Sequence, residues 1–248
     1  MKLFQYWDSP SPPDEIAVWI DGFKTNNPDF EHVLVNRDSA LALITEHHGP
    51  LEVAAFKACA VPAMQADYVR LCLLETFGGV YVDADVQSIE PISGMFRTRS
   101  GSMLFIYETL VNNGVMYFPH AGDPFVSACL KLATDNINAR RTNAVFTAAG
   151  PGVLNALRCI LDPSIYDETA ATFEQNYIVQ SWGFAAIVER AREMIEVTPE
   201  LLKAFLAIDI LKSSDARPWI GVDQPSYKET AVHWTRWVGS IYNETPAN

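Results

Sequence analysis

Apolar and polar positions change their period along this chain. Leu3–Trp7 and Phe30–Val35 are short runs rich in aromatic and β-branched residues, and they read as strands. Pro13–Lys24 and Asp38–His47 read as helices. In the second, Ala40, Leu41, Leu43 and Ile44 supply the apolar face. A Pro-rich loop, Asp8–Pro13, and an Asn26-Asn27-Pro28-Asp29 turn separate these segments. Strand, helix, strand, helix in that order predicts an α/β domain with a largely parallel sheet.

Leu51–Ala60 is expected to be helical, and Pro62 opens a further helix that runs through Phe77. No Gly or Pro interrupts Asp67–Phe77, and its long apolar run predicts burial on several sides. Gly78-Gly79 ends it, since glycine accepts the left-handed conformation that closes many helices. Val80-Tyr81-Val82 is a buried-strand pattern, and it delivers Asp83-Ala84-Asp85 at its C-terminal end. In open α/β sheets, ligands bind at that edge. Two aspartates two residues apart can converge on one cation, and carboxylate oxygens suit hard ions such as Mg²⁺ and Mn²⁺. Asp67 and Arg70 are neighbours on one helix face. Alone, each pair reads as ordinary solvated surface; the ordered combination of Asp-x-x-Arg helix, Gly-Gly, apolar strand and Asp-x-Asp is specific.

The segment Asp67–Val86 resembles the core of the DXD-motif glycosyltransferases, and it is most similar to glycosyltransferase family 32. That group holds yeast initiating α-mannosyltransferases and bacterial capsule-type enzymes of polysaccharide biosynthesis. Gln5-Tyr6-Trp7 and Asn27-Pro28-Asp29 stand where the family has a Trp-bearing strand and an Asn-Pro turn, with Phe4 in place of a His. The resemblance implies a GT-A type nucleotide-diphospho-sugar transferase fold, Rossmann-like, with a mostly parallel sheet flanked by helices. It implies a metal-dependent retaining enzyme that moves a sugar from a UDP- or GDP-sugar to a saccharide, lipid-linked or protein acceptor. Asp85 would bind Mn²⁺ or Mg²⁺, Asp83 would contact the ribose or the ion, and Asp67 and Arg70 would grip sugar hydroxyls. Trp7 would stack on the base, and Gly79 and Asn113 join the donor-binding candidates. His233, in an Ala-x-His element, would complete the metal shell, and Trp237 would cover the diphosphate or sugar; Ile241 follows Gly239-Ser240 where the family has Trp. The alternative is a non-catalytic nucleotide-sugar-binding or interaction protein on the same fold. A metal-dependent phosphohydrolase competes less well, because Asp83 and Asp85 have no further ligand cluster near them in sequence.

Further along, Ser102–Tyr107 is a predicted strand, and Asn112-Asn113-Gly114 is expected to turn into a strand over Val115–Phe118. Pro124–Arg141, Val153–Leu161, Phe184–Ile195 and Pro199–Leu211 are expected helices. Gly150-Pro151-Gly152 reads as structural, with Ala149 where the family has Thr. No linker divides the 248 residues, which are taken as one domain. Its donor-binding core spans about 1–120, a variable acceptor-side segment about 162–217, and a C-terminal site-closing element about 219–242.

Composition narrows the partners. A formal charge of −12 argues against nucleic acid and against simple electrostatic adhesion to anionic lipid. Four cysteines, Cys59, Cys72, Cys129 and Cys159, form no CxxC or Cys/His cluster; the apolar helical contexts of Cys72, Cys129 and Cys159 predict buried thiols, and with no signal-peptide pattern a cytoplasmic protein is expected. No run reaches the ~20 apolar residues of a spanning helix, although peripheral membrane association stays open.

Overall fold

The computed structural model describes residues 1–96, 101–176, 183–221, 225, 228, 237 and 239–243. The elements follow in chain order. The N-terminal half holds β1 (Lys2–Tyr6), α1 (Asp14–Asn26), β2 (Glu31–Val35), α2 (Arg37–His47), α3 (Pro50–Ala58), α4 (Pro62–Phe77) and β3 (Gly79–Val82). Next come β4 (Gln87–Ser88), α5 (Ser93–Phe96), β5 (Met103–Tyr107), β6 (Leu110–Phe118) and α6 (Pro124–Asn138). Then follow α7 (Val145–Ala148), α8 (Pro151–Leu161), α9 (Tyr166–Asn176), α10 (Phe184–Met194), α11 (Pro199–Leu206), β7 (Asp209–Lys212) and β8 (Ile220–Gly221).

Six strands form the central sheet in the order β2-β1-β3-β6-β5-β7. Only β6 runs against the others, being antiparallel to both β3 and β5. The expected α/β class, a mostly parallel sheet flanked by helices, is therefore what the chain forms. Strand alternation divides the core into two faces. Phe4, Tyr6, Tyr81, Leu104, Met116 and Phe118 point into the larger cluster, with α2, α3, α4, α6 and α8 packed on it. Leu3, Val80, Val82, Met103, Phe105 and Tyr117 point the other way, where they meet Phe23, Ile92, Met95, Phe96 and Ile220.

The chain leaves β1 towards β2 on one side and returns to β3 on the other, so β1 lies between them. This reversal of strand order opens a crevice at the carboxyl ends of β1 and β3, the usual ligand position in such sheets. Asp83 follows β3 directly at that edge. Gly78 closes α4 with φ +61°, and its N–H donates to the Leu74 carbonyl at 2.9 Å.

Two expectations change. Asn112–Gly114 is not a turn but lies inside β6; the turn falls at Glu108-Thr109, where Glu108 has φ +54°. Leu104 pairs with Met116 while Phe105 pairs with Asn112, so the strand bulges over 113–115. The turn chemistry of Asn is still used, since Asn112 Oδ1 accepts from the Gly114 N–H at 2.8 Å. The second change is at Pro199–Leu211, whose helix stops at Leu206. Asp209–Lys212 becomes β7, parallel to β5 at the sheet edge. A short Ile-Leu run fits either period, and the open edge of β5 decides it.

Cys72, Cys129 and Cys159 are free and buried, as their apolar contexts predict, and so is Cys59. Among the described residues, no helix is long and apolar enough to cross a membrane.

Gly78 has a positive φ, and a Cβ there would lie 2.7 Å from the His120 carbonyl carbon. Gly78→Ala is expected to lower stability by about 1–3 kcal/mol in urea denaturation. An unchanged midpoint would contradict the tight packing of this turn against His120 and Ala121, which follow β6.

Candidate active site

Helix α4 brings Asp67 and Arg70 to the crevice one turn apart. Both are buried, an unusual position for charged side chains. Arg70 is spent entirely inside the protein. Its Nε donates to the Ala66 carbonyl at 3.2 Å, and Nη1 donates to the Asn113 carbonyl. Nη2 lies 2.9 Å from both Asp67 Oδ1 and Asp83 Oδ1. The guanidinium also lies over the Tyr81 ring, 4.5 Å from its centroid. Tyr81 and Asp83 sit two residues apart at the end of β3, so one strand face offers the cation both a ring and a carboxylate.

The bulge in β6 completes this web. It turns Asn113 inward, where Nδ2 donates to Asp67 Oδ1 at 2.8 Å. Bulges beside ligand sites often re-aim a side chain in this way. Asp83 is locked to β6 as well, its N–H donating to the Gly114 carbonyl at 2.8 Å. Two glycines make room for the carboxylates. A Cβ on Gly114 would lie 2.9 Å from Asp83 Oδ2, and one on Gly150, which precedes α8, 2.8 Å from Asp67 Oδ2. Gly150-Pro151-Gly152 thus has a structural reason for its first glycine.

Electrostatics in the crevice follow from burial. Burial raises the Asp67 carboxyl above its ordinary range, although Arg70 and Asn113 pull it back. Burial also pushes Asp83 up to about 7, opposed by Arg70 and reinforced by Asp85 and Asp67. Two buried carboxylates that share one guanidinium oppose each other's ionisation. Asp85, two residues on and half-buried, meets a second cation: Lys228 Nζ stands 2.8 Å from Asp85 Oδ2.

The fit to a divalent ion rests on Asp83 and Asp85. They are hard oxygen donors, and Asp85 already faces a space that a cation fills. Among the described residues, no group of three or more His, Cys, Asp or Glu side chains is arranged to hold an ion. An ion held by these two carboxylates would complete its shell with water and substrate phosphates, as Mg²⁺ commonly does.

Asp67, Arg70, Asp83 and Asn113 are thus joined by direct bonds, and Asp85 adjoins them. Arg70, expected to grip sugar hydroxyls with Asp67, is buried and bonded through all three nitrogens to the two carboxylates and to the Ala66 and Asn113 carbonyls. Trp7 follows β1 and packs half-buried with Trp19, Ile16, Ile20 and Ala84 of the Asp-x-Asp turn. Gly79 faces a different neighbour, since its Cβ would lie 2.5 Å from the Lys2 carbonyl oxygen on β1. Trp237 packs against the larger core, and its indole N–H donates to the Ser240 carbonyl at 3.2 Å. His233 lies outside the described residues. Sequence reasoning missed Gly114, Gly150 and Lys228. The Asn-Asn-Gly run hinted at the first; for Lys228 no local signal existed.

With this geometry in hand, the comparisons with known proteins fall into place. Residues 13–103 match the family described as "Glycosyltransferase sugar-binding region containing DXD motif". The match spans β1-to-β3 connections, α4 and the Asp83-Ala84-Asp85 turn. Two proteins of Saccharomyces cerevisiae are similar over part of the chain. One is titled "Putative glycosyltransferase HOC1", 27% identical over 94 residues, which is 36% of this chain and 23% of that protein. The other is "Initiation-specific alpha-1,6-mannosyltransferase", 31% identical over 68 residues, 27% of this chain and 14% of that protein. The similarity therefore spans less than a quarter of either relative. The solved structure "PaToxG Glycosyltransferase" superposes with a TM-score of 0.48 at 14% identity, covering 83% of this chain and 84% of that one. Residues 13–103, which include the motif segment, are thus similar to a DXD-containing glycosyltransferase sugar-binding region.

Arg70→Met would leave Asp67 and Asp83 without their buried cation. A loss of roughly 3–5 kcal/mol is expected by chemical denaturation; a change below about 1 kcal/mol would show that the web carries little.

The Asp83 shift has a definite sign. Its raised value favours the folded state fully below about pH 4, and that contribution is lost as pH rises through about 7. Ligand-free wild type should therefore lose more stability between pH 4 and 7 than Asp83→Asn. Parallel pH profiles for the two proteins would contradict this.

Proposed function

We propose that this protein is a metal-dependent, retaining glycosyltransferase that uses a nucleoside-diphosphate sugar, with UDP and GDP as the candidate carriers. One observation carries the reading: the Asp-x-Asp turn stands at the strand-order reversal, braced by the buried Asp67–Arg70–Asn113 web. A glycan, lipid-linked or protein acceptor completes the reaction. The partial length shared with the yeast relatives keeps the whole activity a proposal.

In this reading Asp85 binds the ion and Asp83 contacts the donor ribose or the ion. When bound, a divalent ion supplies charge neutralisation for the diphosphate leaving group. Arg70 is a positioning residue; it fixes Asp67 and Asp83 before any ligand arrives, so no reorganisation is needed as charge develops. Asp67 keeps its second oxygen, Oδ2, against Gly150 at the mouth of α8, and with the Asn113 amide it would orient sugar hydroxyls. Trp7, at the end of β1, would border the base, and Gly79 would support it from β3. His233 and Trp237 belong to the element proposed to close the site.

Retention follows a front-face course here. The acceptor oxygen bonds the anomeric carbon on the side where the carbon–diphosphate bond breaks, and the acceptor proton passes to the departing diphosphate. Such a course needs positioning and electrostatics, with no protein nucleophile. The competing reading, a nucleotide-sugar-binding protein without transfer, predicts binding and no turnover.

Two measurements separate them. UDP, GDP and their sugars, each with and without Mn²⁺, should give a Mn²⁺-dependent thermal shift for one base. A ligand at about 100 times its dissociation constant adds roughly 2.7 kcal/mol. Asp85→Ala should lose transfer or donor hydrolysis by about 100-fold or more while keeping its melting transition. Full turnover in that variant would remove Asp85 from the metal role.

A further inference from the structure

Lys228 lies 143 residues from Asp85 in sequence, yet its ammonium stands 2.8 Å from Asp85 Oδ2. Neither side chain is more than about one-fifth exposed, so solvent screens the pair poorly. The contact has a definite origin in the fold. Just after the Asp-x-Asp turn the chain forms β4, and β8 pairs with it antiparallel, Gln87 opposite Gly221 and Ser88 opposite Ile220. This ribbon ties the C-terminal segment to the strand that leaves the site. Trp219 reinforces it by accepting from the Ile89 N–H at 2.8 Å. Beyond the ribbon, Pro225 is buried and its carbonyl accepts from the Lys228 N–H at 3.0 Å.

We propose that Lys228 is the resident cation of this acidic site, occupying the place beside Asp85 that a divalent ion would take, so that metal binding must displace it. A lysine ammonium and a divalent ion cannot share one carboxylate oxygen without close repulsion. Charge balance points the same way. Among the described residues, Arg70 is locked by five interactions to Ala66, Asn113, Asp67, Asp83 and Tyr81, whereas Lys228 meets Asp85 through an ion pair. The exchangeable cation is therefore the lysine. Lysine suits this task better than arginine, because its ammonium is a point charge with no bidentate hold on the carboxylate. The proposal rests on the divalent-ion reading of Asp85.

The test measures Mn²⁺ binding without any donor, by the loss of free-ion electron paramagnetic resonance signal, in wild type, Lys228→Met, Lys228→Arg and Asp85→Asn. Lys228→Met keeps the aliphatic stem and loses the charge, and it should bind Mn²⁺ about tenfold more tightly. Lys228→Arg should not gain affinity, and Asp85→Asn should lose it. A second readout, on wild type alone, is the reaction of Lys228 with an amine-reactive reagent, followed by peptide mass spectrometry. Labelling should rise when Mn²⁺ is added, a change that a purely structural ion pair would not give. Equal Mn²⁺ affinity in wild type and Lys228→Met, or labelling indifferent to Mn²⁺, would overturn the exchange while leaving the metal reading intact. No Mn²⁺ binding to any variant would overturn both.

Discussion

A single buried guanidinium holds the site together. Arg70 reaches three parts of the chain at once: its own helix through Ala66 and Asp67, the end of β3 through Asp83 and Tyr81, and the bulge of β6 through the Asn113 carbonyl. A charge in that position is tolerable only because every nitrogen has a partner. The reverse also holds: two carboxylates could not sit in this crevice without it. Helix, strand and bulge are therefore mutually dependent, and the stability of each is partly electrostatic.

The same dependence explains why glycine appears where it does. Gly114 and Gly150 leave room for the oxygens of Asp83 and Asp67, and Gly78 lets α4 turn into β3 against His120. The carboxylates are thus hemmed in by backbone on their far sides and by Arg70 on the near side. Beside them Asp85 is paired with the distant Lys228. Among the described residues, one cation of the site is buried and held from several sides, and the other meets its carboxylate across a distant segment of the chain.

Much of this was legible in the chain. Short strands with aromatic and β-branched residues, helices opened by proline and the Gly-Gly stop all obey local rules, so the α/β class and the positions of α4 and β3 follow from them. The Asp-x-x-Arg and Asp-x-Asp pairs are also local, and their order marks the motif. Less legible were β7 and the bulge of β6. Asn112-Asn113-Gly114 has the composition of a turn, and only its pairing with β5 and β3 makes it a bulge. Asp209–Lys212 has the composition of either element, and only an unpaired edge makes it a strand.

Sequence alone therefore determined which residues could bear charge at the mouth of the sheet, because that depends on spacing within one helix and one turn. Tertiary structure decided what those residues do. Arg70 gained the part of an internal brace because burial and its protein partners engage all three guanidinium nitrogens. Asn113 became a site residue through a register shift in a neighbouring strand. Lys228 entered the site through a two-stranded ribbon that joins distant segments of the chain. Each of these is a non-local contact, and no periodicity or motif encodes the partner of a residue that lies more than a hundred positions away.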